Sequence, residues 1–238
     1  MNNASLELGG TNWAEKDGNI LGYSVGDTSG KYSPQEFTFA RGSNLSATRI
    51  DRAGLIVKGR ENILLQSNQF DTTWLNQLGG TITGGQAGYD GSSDAWLISK
   101  DASNFRSVRQ VISFSGVSTF SIYAKSGTLT DAALRMDTSA GAIQIVYDLS
   151  AGVVASSGGV FISNGIEDVG GGWYRIFVTA NVSSGTNVHI YADRSGTTAG
   201  SIYIQDAQLE SSLAASPYIP TTTTSAQAGV LENTPRLN

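Results

Sequence analysis

Apolar and polar side chains alternate with a period of two over several short segments of this chain. In residues 117–125, Phe120 and Ile122 share one side, whereas Ser121 and Tyr123 share the other. The same alternation recurs in residues 143–149, 174–180 and 188–192. Because successive side chains of a strand point to opposite faces of its sheet, this pattern predicts antiparallel β-strands with one buried face and one outer face.

Glycine content and low charge extend this interpretation to the whole middle of the chain. The 238 residues include 29 glycines and only 15% are charged, which is typical of short strands joined by tight turns. Turns are predicted at Gly170-Gly171-Gly172 and Ser183-Ser184-Gly185. Further strands are predicted at about residues 93–99, 106–113, 131–137, 159–163 and 200–209. The spacing predicts an all-β sandwich, and no segment of helical period is long enough to predict a helix.

The chain divides into three predicted regions. Residues 1–60 contain isolated strand-like pieces broken by Gly and Ser, with too little apolar surface for an independent core. Residues 61–220 carry the alternating segments and form the predicted sandwich. Residues 221–238 form a linker and tail, which begins with four threonines.

Four motifs follow one another in a fixed order along the chain. They are Arg60 to Phe70 with Trp74, Gly172-Trp173-Tyr174-Arg175, Gly200 to Glu210, and Ser216-Pro217-Tyr218-Ile219-Pro220. This succession resembles the carbohydrate-binding-module-like jelly roll of bacteriophage virion proteins, especially fibre and tail proteins. The run Phe37 to Ile56 resembles the segment that precedes the jelly roll in the same proteins.

The resemblance implies an antiparallel jelly-roll β-sandwich with an extended N-terminal attachment arm and a C-terminal tail. It implies a virion structural protein, part of a head or tail fibre or of a capsid decoration. The jelly roll would bind glycans for attachment to a host or surface. A purely structural assembly or adaptor protein without sugar binding is the alternative.

Composition excludes several other classes of function. The chain has no cysteine, so neither disulfides nor thiolate metal sites are expected. A net charge of −5 argues against nucleic-acid binding, which needs a basic surface. No apolar run approaches about 20 residues and no signal peptide is recognisable, so we expect no membrane insertion. These features fit a virion protein that is assembled in the host cytoplasm and exposed on the particle exterior.

Enzymatic chemistry is not expected. Glycoside hydrolysis needs two carboxylates that flank a groove, and the candidates Asp131, Asp137 and Asp148 show no pairing in the sequence. His189 is the only histidine, and no nucleophile elbow precedes a helix. We therefore predict a non-enzymatic protein without catalytic residues.

Sugar binding requires an aromatic ring for stacking and a few fixed polar groups. The outward strand positions supply both kinds of side chain. The predicted glycan-binding residues are Tyr123, Arg135, Asp137, Gln144, His189 and Tyr191. Outward aromatic residues also form cross-strand pairs or subunit interfaces. An adhesin would leave Tyr123 and Tyr191 open to solvent, whereas a structural protein could cover them.

The resemblance also implies a structural calcium ion between the first and last strands of the jelly roll. Asp71, directly after Phe70, and Asp206 in the last strand are the predicted carboxylate ligands, together with backbone carbonyl groups. Alternatively, Asp206 caps a turn or pairs with Arg175.

Self-association is expected because the apolar side chains of residues 1–60 must be covered. Fibre proteins cover such segments by symmetric association, with the arms of neighbouring subunits packed together. We therefore predict a homo-oligomer, specifically a homotrimer, in which the Phe37 to Ile56 segment contacts another subunit or another virion protein. Cell-surface glycans are the other predicted partner.

Overall fold

The computed structural model describes residues 14–16, 19–25, 32–37, 48–50, 56–58, 60–77, 80–102, 107–194 and 196–228. All regular structure in this part of the chain is β-strand. It includes no helix that is long and apolar enough to cross a membrane. Contacts divide the chain into one unit of Met1–Gly59 with Gln227–Asn238, and a second unit of Arg60–Ala226.

The first unit contains two small antiparallel sheets. One comprises β1 (Ala14–Lys16), β2 (Asn19–Val25) and β3 (Tyr32–Phe37), and the other comprises β4 (Thr48–Ile50) and β5 (Ile56–Lys58). Most of the segment between Phe37 and Ile56 lies outside the described residues. The predicted assembly contacts fall on this segment. Residues 229–238 of the predicted tail also lie outside the described residues.

The second unit is built on strands from β6 onward. They are β6 (Arg60–Asn62), β7 (Leu75–Gln77), β8 (Thr81–Gln86), β9 (Ala95–Lys100), β10 (Ser107–Ser126), β11 (Asp131–Thr138), β12 (Gly141–Asp148), β13 (Val153–Gly158), β14 (Ser163–Gly170), β15 (Trp173–Ala192) and β16 (Gly200–Glu210). The short strand β17 (Ala226–Ala228) ends the described chain. Every pairing in the large sheet is antiparallel.

The two longest strands, β10 and β15, each run through both layers of the sandwich. Residues 107–111 of β10 pair with residues 187–191 of β15, and residues 116–125 pair with 173–182, with register shifts between the two stretches. Layer 1 has the order β13, β12, β11, the second part of β15, the first part of β10, and β7. Layer 2 has the order β14, the first part of β15, the second part of β10, β16, β9 and β8.

The core lies between these layers. Phe120 and Ile122 from layer 2 and Leu134 and Ile145 from layer 1 are fully buried in one apolar cluster. Phe120, Ile122 and Ile145 belong to the strands whose alternation predicted one buried face, and the predicted all-β antiparallel sandwich is confirmed.

Two predictions about local structure are wrong. Residues 159–162 of the predicted strand 159–163 form the connection between β13 and β14, Ser163 begins β14, and Val160 is 87% exposed. Ser183 to Gly185 continue β15 through its register shift, where the ring of Phe114 lies against Gly185 and leaves no room for a side chain. The predicted Gly170-Gly171-Gly172 turn is confirmed, and its positive φ angles of 91°, 62° and 78° favour glycine.

Candidate functional site

The outer face of layer 1, here called face 1, carries a line of polar side chains across four strands. Gln144 of β12 lies opposite Arg135 of β11, Arg135 lies opposite His189 of β15, and His189 lies opposite Arg109 of β10. We call these four residues the arginine–histidine row. Strand register places three of the predicted glycan-binding residues next to one another in this row.

Asp137 orients two members of the row through hydrogen bonds. Its Oδ1 accepts from Arg135 Nε at 2.7 Å, and its Oδ2 lies 2.9 Å from His189 Nε2. Asn187 Nδ2 donates to Oδ2 at 3.4 Å. Burial raises the pKa of Asp137, but the hydrogen bonds from Arg135 and His189 outweigh it and hold the pKa below its usual value.

Burial favours the neutral form of the His189 imidazole. Burial lowers its pKa, and the hydrogen bond to Asp137 only partly offsets this effect. In the contact between the two, Nε2 donates to the Asp137 carboxylate. The other ring nitrogen, Nδ1, can accept from Ser107 Oγ at 3.3 Å or from Tyr191 Oη at 3.5 Å.

Tyr191 lies beneath this row instead of projecting into solvent. It is only 4% exposed, packs with Ala133 and Val146, and stacks on His189 with ring centroids 5.7 Å apart. The guanidinium of Arg194 lies 5.2 Å from the centre of the ring. The expected exposure of this ring is not observed, because neighbouring side chains on the same face cover it.

Tyr123 does not join the other predicted glycan-binding residues. It lies in the part of β10 that belongs to layer 2, where it is opposite Arg175. The Tyr89 ring stacks on it with centroids 3.8 Å apart, and the Arg175 guanidinium lies 5.3 Å from its centre. Tyr123 is consequently 8% exposed, so it is covered rather than open to solvent as an adhesin that uses this ring would require.

Face 2, the outer face of layer 2, is crossed by the segment of residues 211–220. Arg175 Nη2 and Gln208 Nε2 both donate to the Ser216 carbonyl oxygen. Gln208 Oε1 accepts from Ile219 N at 2.7 Å, and Glu210 Oε1 accepts from Ser216 N at 2.8 Å. Three of the four sequence motifs therefore meet in one buried network that holds the segment against the sheet.

The remaining motif contributes Asn62, which is fully buried. Its Nδ2 donates to the carbonyl oxygens of Ala207 and Ile219 at 3.0 and 2.9 Å. Its Oδ1 accepts from Leu64 N and Leu209 N at 3.2 and 3.1 Å. One side chain thus satisfies four backbone groups and joins the first segment of the unit to β16 and to the segment that covers face 2.

Asp206 lines a cleft of about 430 Å³ that also includes Asn68, Asp94, Trp96 and Tyr218. Tyr89 Oη donates to Asp206 Oδ2 at 3.0 Å, and Asn68 Oδ1 accepts from Asp206 N at 3.2 Å. Burial raises the pKa of the Asp206 carboxyl to about 7, and the charges of Asp94 and Asp90 add to this effect.

Asp71, the second predicted calcium ligand, is exposed and does not line this cleft. The described residues contain no group of three Asp, Glu, His or Cys side chains placed to hold a metal ion. A single buried carboxyl whose pKa is raised does not by itself form a calcium site. The calcium ion remains a prediction.

The three candidate catalytic carboxylates have separate surroundings. Asp131 lies opposite Asp148, and its pKa is raised by burial and by the charges of Asp148 and Asp193. Asp148 instead accepts hydrogen bonds from Ser150 and Ala151 in the turn that follows it, and these lower its pKa. Asp137 is bound to Arg135 and His189. The absence of enzymatic activity remains a prediction.

Sequence reasoning missed Arg109 and Tyr89. Arg109 occupies a polar position in the predicted strand of residues 106–113, but only the register with β15 shows that it neighbours His189. Tyr89 lies between β8 and β9, where no periodicity indicates which surface the ring covers.

No protein-family model matches the chain, and no curated protein matches it. Among solved structures, it is similar to the CBM22-2 xylan-binding domain from Paenibacillus barcinonensis Xyn10C, with a TM-score of 0.40, 11% identity, and coverage of 64% of this chain and 98% of that one. It is also similar to the enzymatically active domain of tailspike protein 4 from bacteriophage CBA120, with a TM-score of 0.34, 17% identity and coverage of 62% of this chain. The match spans 21% of the tailspike chain.

Proposed function

We propose that this chain is a bacteriophage virion protein whose sandwich binds glycans through face 1. The motif succession supports the virion assignment, and the arginine–histidine row supports the binding role. The other layer presents no comparable array in the part of the chain that is described, because the segment of residues 211–220 crosses its outer face.

The observation that carries the proposal is the geometry of Arg135 and Asp137, which are held together and partly exposed beside His189, a predicted glycan-binding residue that is itself only 4% exposed. The side chains of Arg135 and Asp137 are 27% and 24% exposed, and a 2.7 Å hydrogen bond holds one to the other. Planar polar groups held in this way meet sugar hydroxyl groups with little loss of side-chain entropy on binding. Because the Tyr191 ring is buried, recognition rests on hydrogen bonds rather than on stacking.

This proposal is tested by measuring the affinity of the full-length chain for a panel of oligosaccharides. Replacement Asp137→Ala releases both Arg135 and His189, so we expect a loss of glycan affinity of about tenfold or more. Asp168→Ala, an exposed change on β14 of layer 2, is the matched control and should leave affinity unchanged. Equal effects of the two replacements, or no binding by the unmodified chain, would contradict the proposal.

A separate observation favours assembly as a second function. Strands β13 and β14 lie at the edges of layers 1 and 2, and the stretch that contains them exposes large apolar side chains. These are Val153, Val160, Ile162 and Val169, exposed by 49%, 87%, 50% and 40%. Edge strands with apolar side chains and no lysine or arginine are suited to pairing with another copy of the chain.

Sedimentation of three proteins tests whether this edge or the N-terminal arm is the assembly element. The three are the full-length chain, the chain without residues 1–59, and the chain with Val160→Ser and Ile162→Ser. If the arm assembles the proposed trimer, deletion of residues 1–59 should yield a folded monomer, and Val160→Ser with Ile162→Ser should remain a trimer. The reverse result would assign assembly to the β13–β14 edge. A monomeric full-length chain would exclude self-association by either element.

A further inference from the structure

We infer that the ligand of face 1 is an acidic glycan, whose carboxylate contacts Arg109 and Arg135. The inference rests on the proposed function and adds the chemical class of the sugar.

Arg109 is the first observation. Its side chain is half-buried on β10, and its Nε is buried without a hydrogen-bond partner among the described residues. The structure gives its guanidinium no ion pair with a described carboxylate, although it lies close enough to His189 to lower the pKa of the imidazole. A buried donor of a charged group that lacks a protein partner is costly unless water or an anion satisfies it, and a carboxylate is an anion that suits it.

The charges around Arg109 give the second observation. Arg135 uses its Nε on Asp137, and Asp137 also binds His189, so this single carboxylate is shared within the row. His189 carries no negative charge in either protonation state, so it cannot neutralise an arginine. The row with Asp137 therefore holds two arginines against one carboxylate, on a chain whose net charge is −5.

Other acidic groups on this face are engaged elsewhere. Asp193 forms an ion pair with Lys100 at 3.2 Å, and Asp148 is held by the turn that follows it. Asp131 lies two residues beyond Ala133, at the end of the strand away from Asp137. Tyr191, Ala133 and Val146 separate these carboxylates from the row as a buried apolar strip. The positive charge of the row is thus not neutralised by them.

Guanidinium groups suit a carboxylate because their planar donors form charge-assisted hydrogen bonds, often in pairs. Arg109 and Arg135 flank His189 on successive strands, and neighbouring strands in a sheet lie about 4.8 Å apart. That spacing allows a carboxylate above His189 to accept from both arginines, while the neighbouring sugar hydroxyls face Gln144 and Asn187.

The test uses a panel in which each uronate-containing or sialate-containing oligosaccharide is paired with its carboxyl-reduced, neutral counterpart. The full-length chain should bind at least one acidic member about tenfold more tightly than its neutral counterpart. Arg109→Gln should abolish this preference, whereas Arg109→Lys should retain part of it. Lys125→Gln removes one positive charge from the layer 2 part of the same strand. It should change neither the affinity for the acidic oligosaccharide nor the affinity for its neutral counterpart.

The outcomes separate this inference from the proposed function. Equal binding of acidic and neutral members, lost in Asp137→Ala, would overturn the acidic class and leave glycan binding at face 1 intact. An acidic preference that survives Arg109→Gln would overturn the assignment to Arg109. Absence of binding to every member would overturn both.

Discussion

Face 1 and face 2 of the sandwich use similar residues in opposite ways. Both present arginine, glutamine, a carboxylate and tyrosine on outward strand positions. On face 2 these groups are directed at the chain itself: Arg175 and Gln208 bind the backbone of the segment that crosses the sheet. On face 1 the side chains of Arg135 and Asp137 bind each other and remain partly exposed. An outward polar side chain can therefore be part of the fold on one layer and available to a ligand on the other.

The comparison also explains which structural role the residues of the four motifs have. Asn62, Arg175, Gln208 and Glu210 belong to the motifs, and all four are buried. Most of their hydrogen bonds go to the backbone of residues 207–219 or join them to one another, so these motif residues hold the segment against face 2 and lie away from face 1. A resemblance based on these motifs predicts the fold more directly than it predicts a ligand.

The largest expected effect is a difference between the two faces in how much one asparagine replacement lowers the free energy of unfolding. Asn62→Ala removes the partners of four backbone groups, and we expect the free energy of unfolding to fall by about 3–5 kcal/mol. Asn187→Ala, on face 1, should cost less than about 1 kcal/mol because its side chain is partly exposed. Chemical denaturation of both variants measures the difference, and equal losses would contradict the distinction between the faces.

Tyr123→Ala is expected to have the next largest effect. The replacement removes a buried ring stacked on Tyr89, so we expect a loss of about 3 kcal/mol in the free energy of unfolding. Glycan affinity, measured where the variant remains folded, should not change. A specific loss of affinity in a folded variant would restore Tyr123 as a binding residue. Tyr203→Ala, which removes a half-buried tyrosine of β16 at the edge of the same aromatic cluster, should cost less stability.

Asp206 gives the cleft a pH dependence of stability opposite in sign to that of Asp137 on face 1, whose pKa is lowered. The pKa of Asp206 is raised from 3.8 to about 7, so its stabilising contribution is fully present below pH 3.8 and is lost as pH rises to about 7. Asp206→Asn should therefore stabilise the protein relative to the unmodified chain at pH 7, by on the order of 2 kcal/mol, and by much less at pH 4. Melting temperatures at both pH values test this, and a gain that is equal at both would contradict the assigned pKa.

The same variant tests the predicted calcium ion. If calcium binds at Asp206, millimolar calcium should raise the melting temperature of the unmodified chain at pH 7 and leave that of Asp206→Asn unchanged. A melting temperature insensitive to both calcium and chelator would remove the ion from the account.

Gln144→Ala is expected to have the smallest effect on stability, less than about 0.5 kcal/mol, because the side chain is half-exposed at the end of the row. Its effect on glycan affinity should be a few-fold loss, from one hydrogen bond to the sugar. Gln86→Ala on β8 of layer 2 is a matched control in affinity measurements. If Gln144→Ala binds glycans as well as Gln86→Ala does, Gln144 does not contact the sugar and the binding part of the row ends at Arg135.

Much of the fold could be predicted from the sequence because the period of two is a local signal. Phe120 and Ile122 were assigned correctly to the buried face by parity alone. Val160 to Ile162 misled the prediction because a short apolar run in an exposed connection has the same composition as a buried strand.

The candidate site was harder to predict because parity identifies an outer face but not what covers it. Tyr123 is covered by Tyr89, and Tyr191 by His189 and Arg194, through contacts between residues far apart in the sequence. The residues Arg135, Asp137 and His189 were predicted individually, but their arrangement depends on the register of β11 with β15. Register follows from the whole sheet rather than from either strand alone.

The most direct test of the account is to locate a bound glycan on the full-length chain. Backbone amide chemical shifts would be recorded while each oligosaccharide of the paired panel is added. The account predicts that a binding oligosaccharide shifts the amides of β11, β12 and residues 185–192 of β15, and leaves those of residues 211–220 unchanged. Shifts concentrated at residues 211–220 or around the Asp206 cleft, or no shift with any oligosaccharide, would contradict the assignment of glycan binding to face 1.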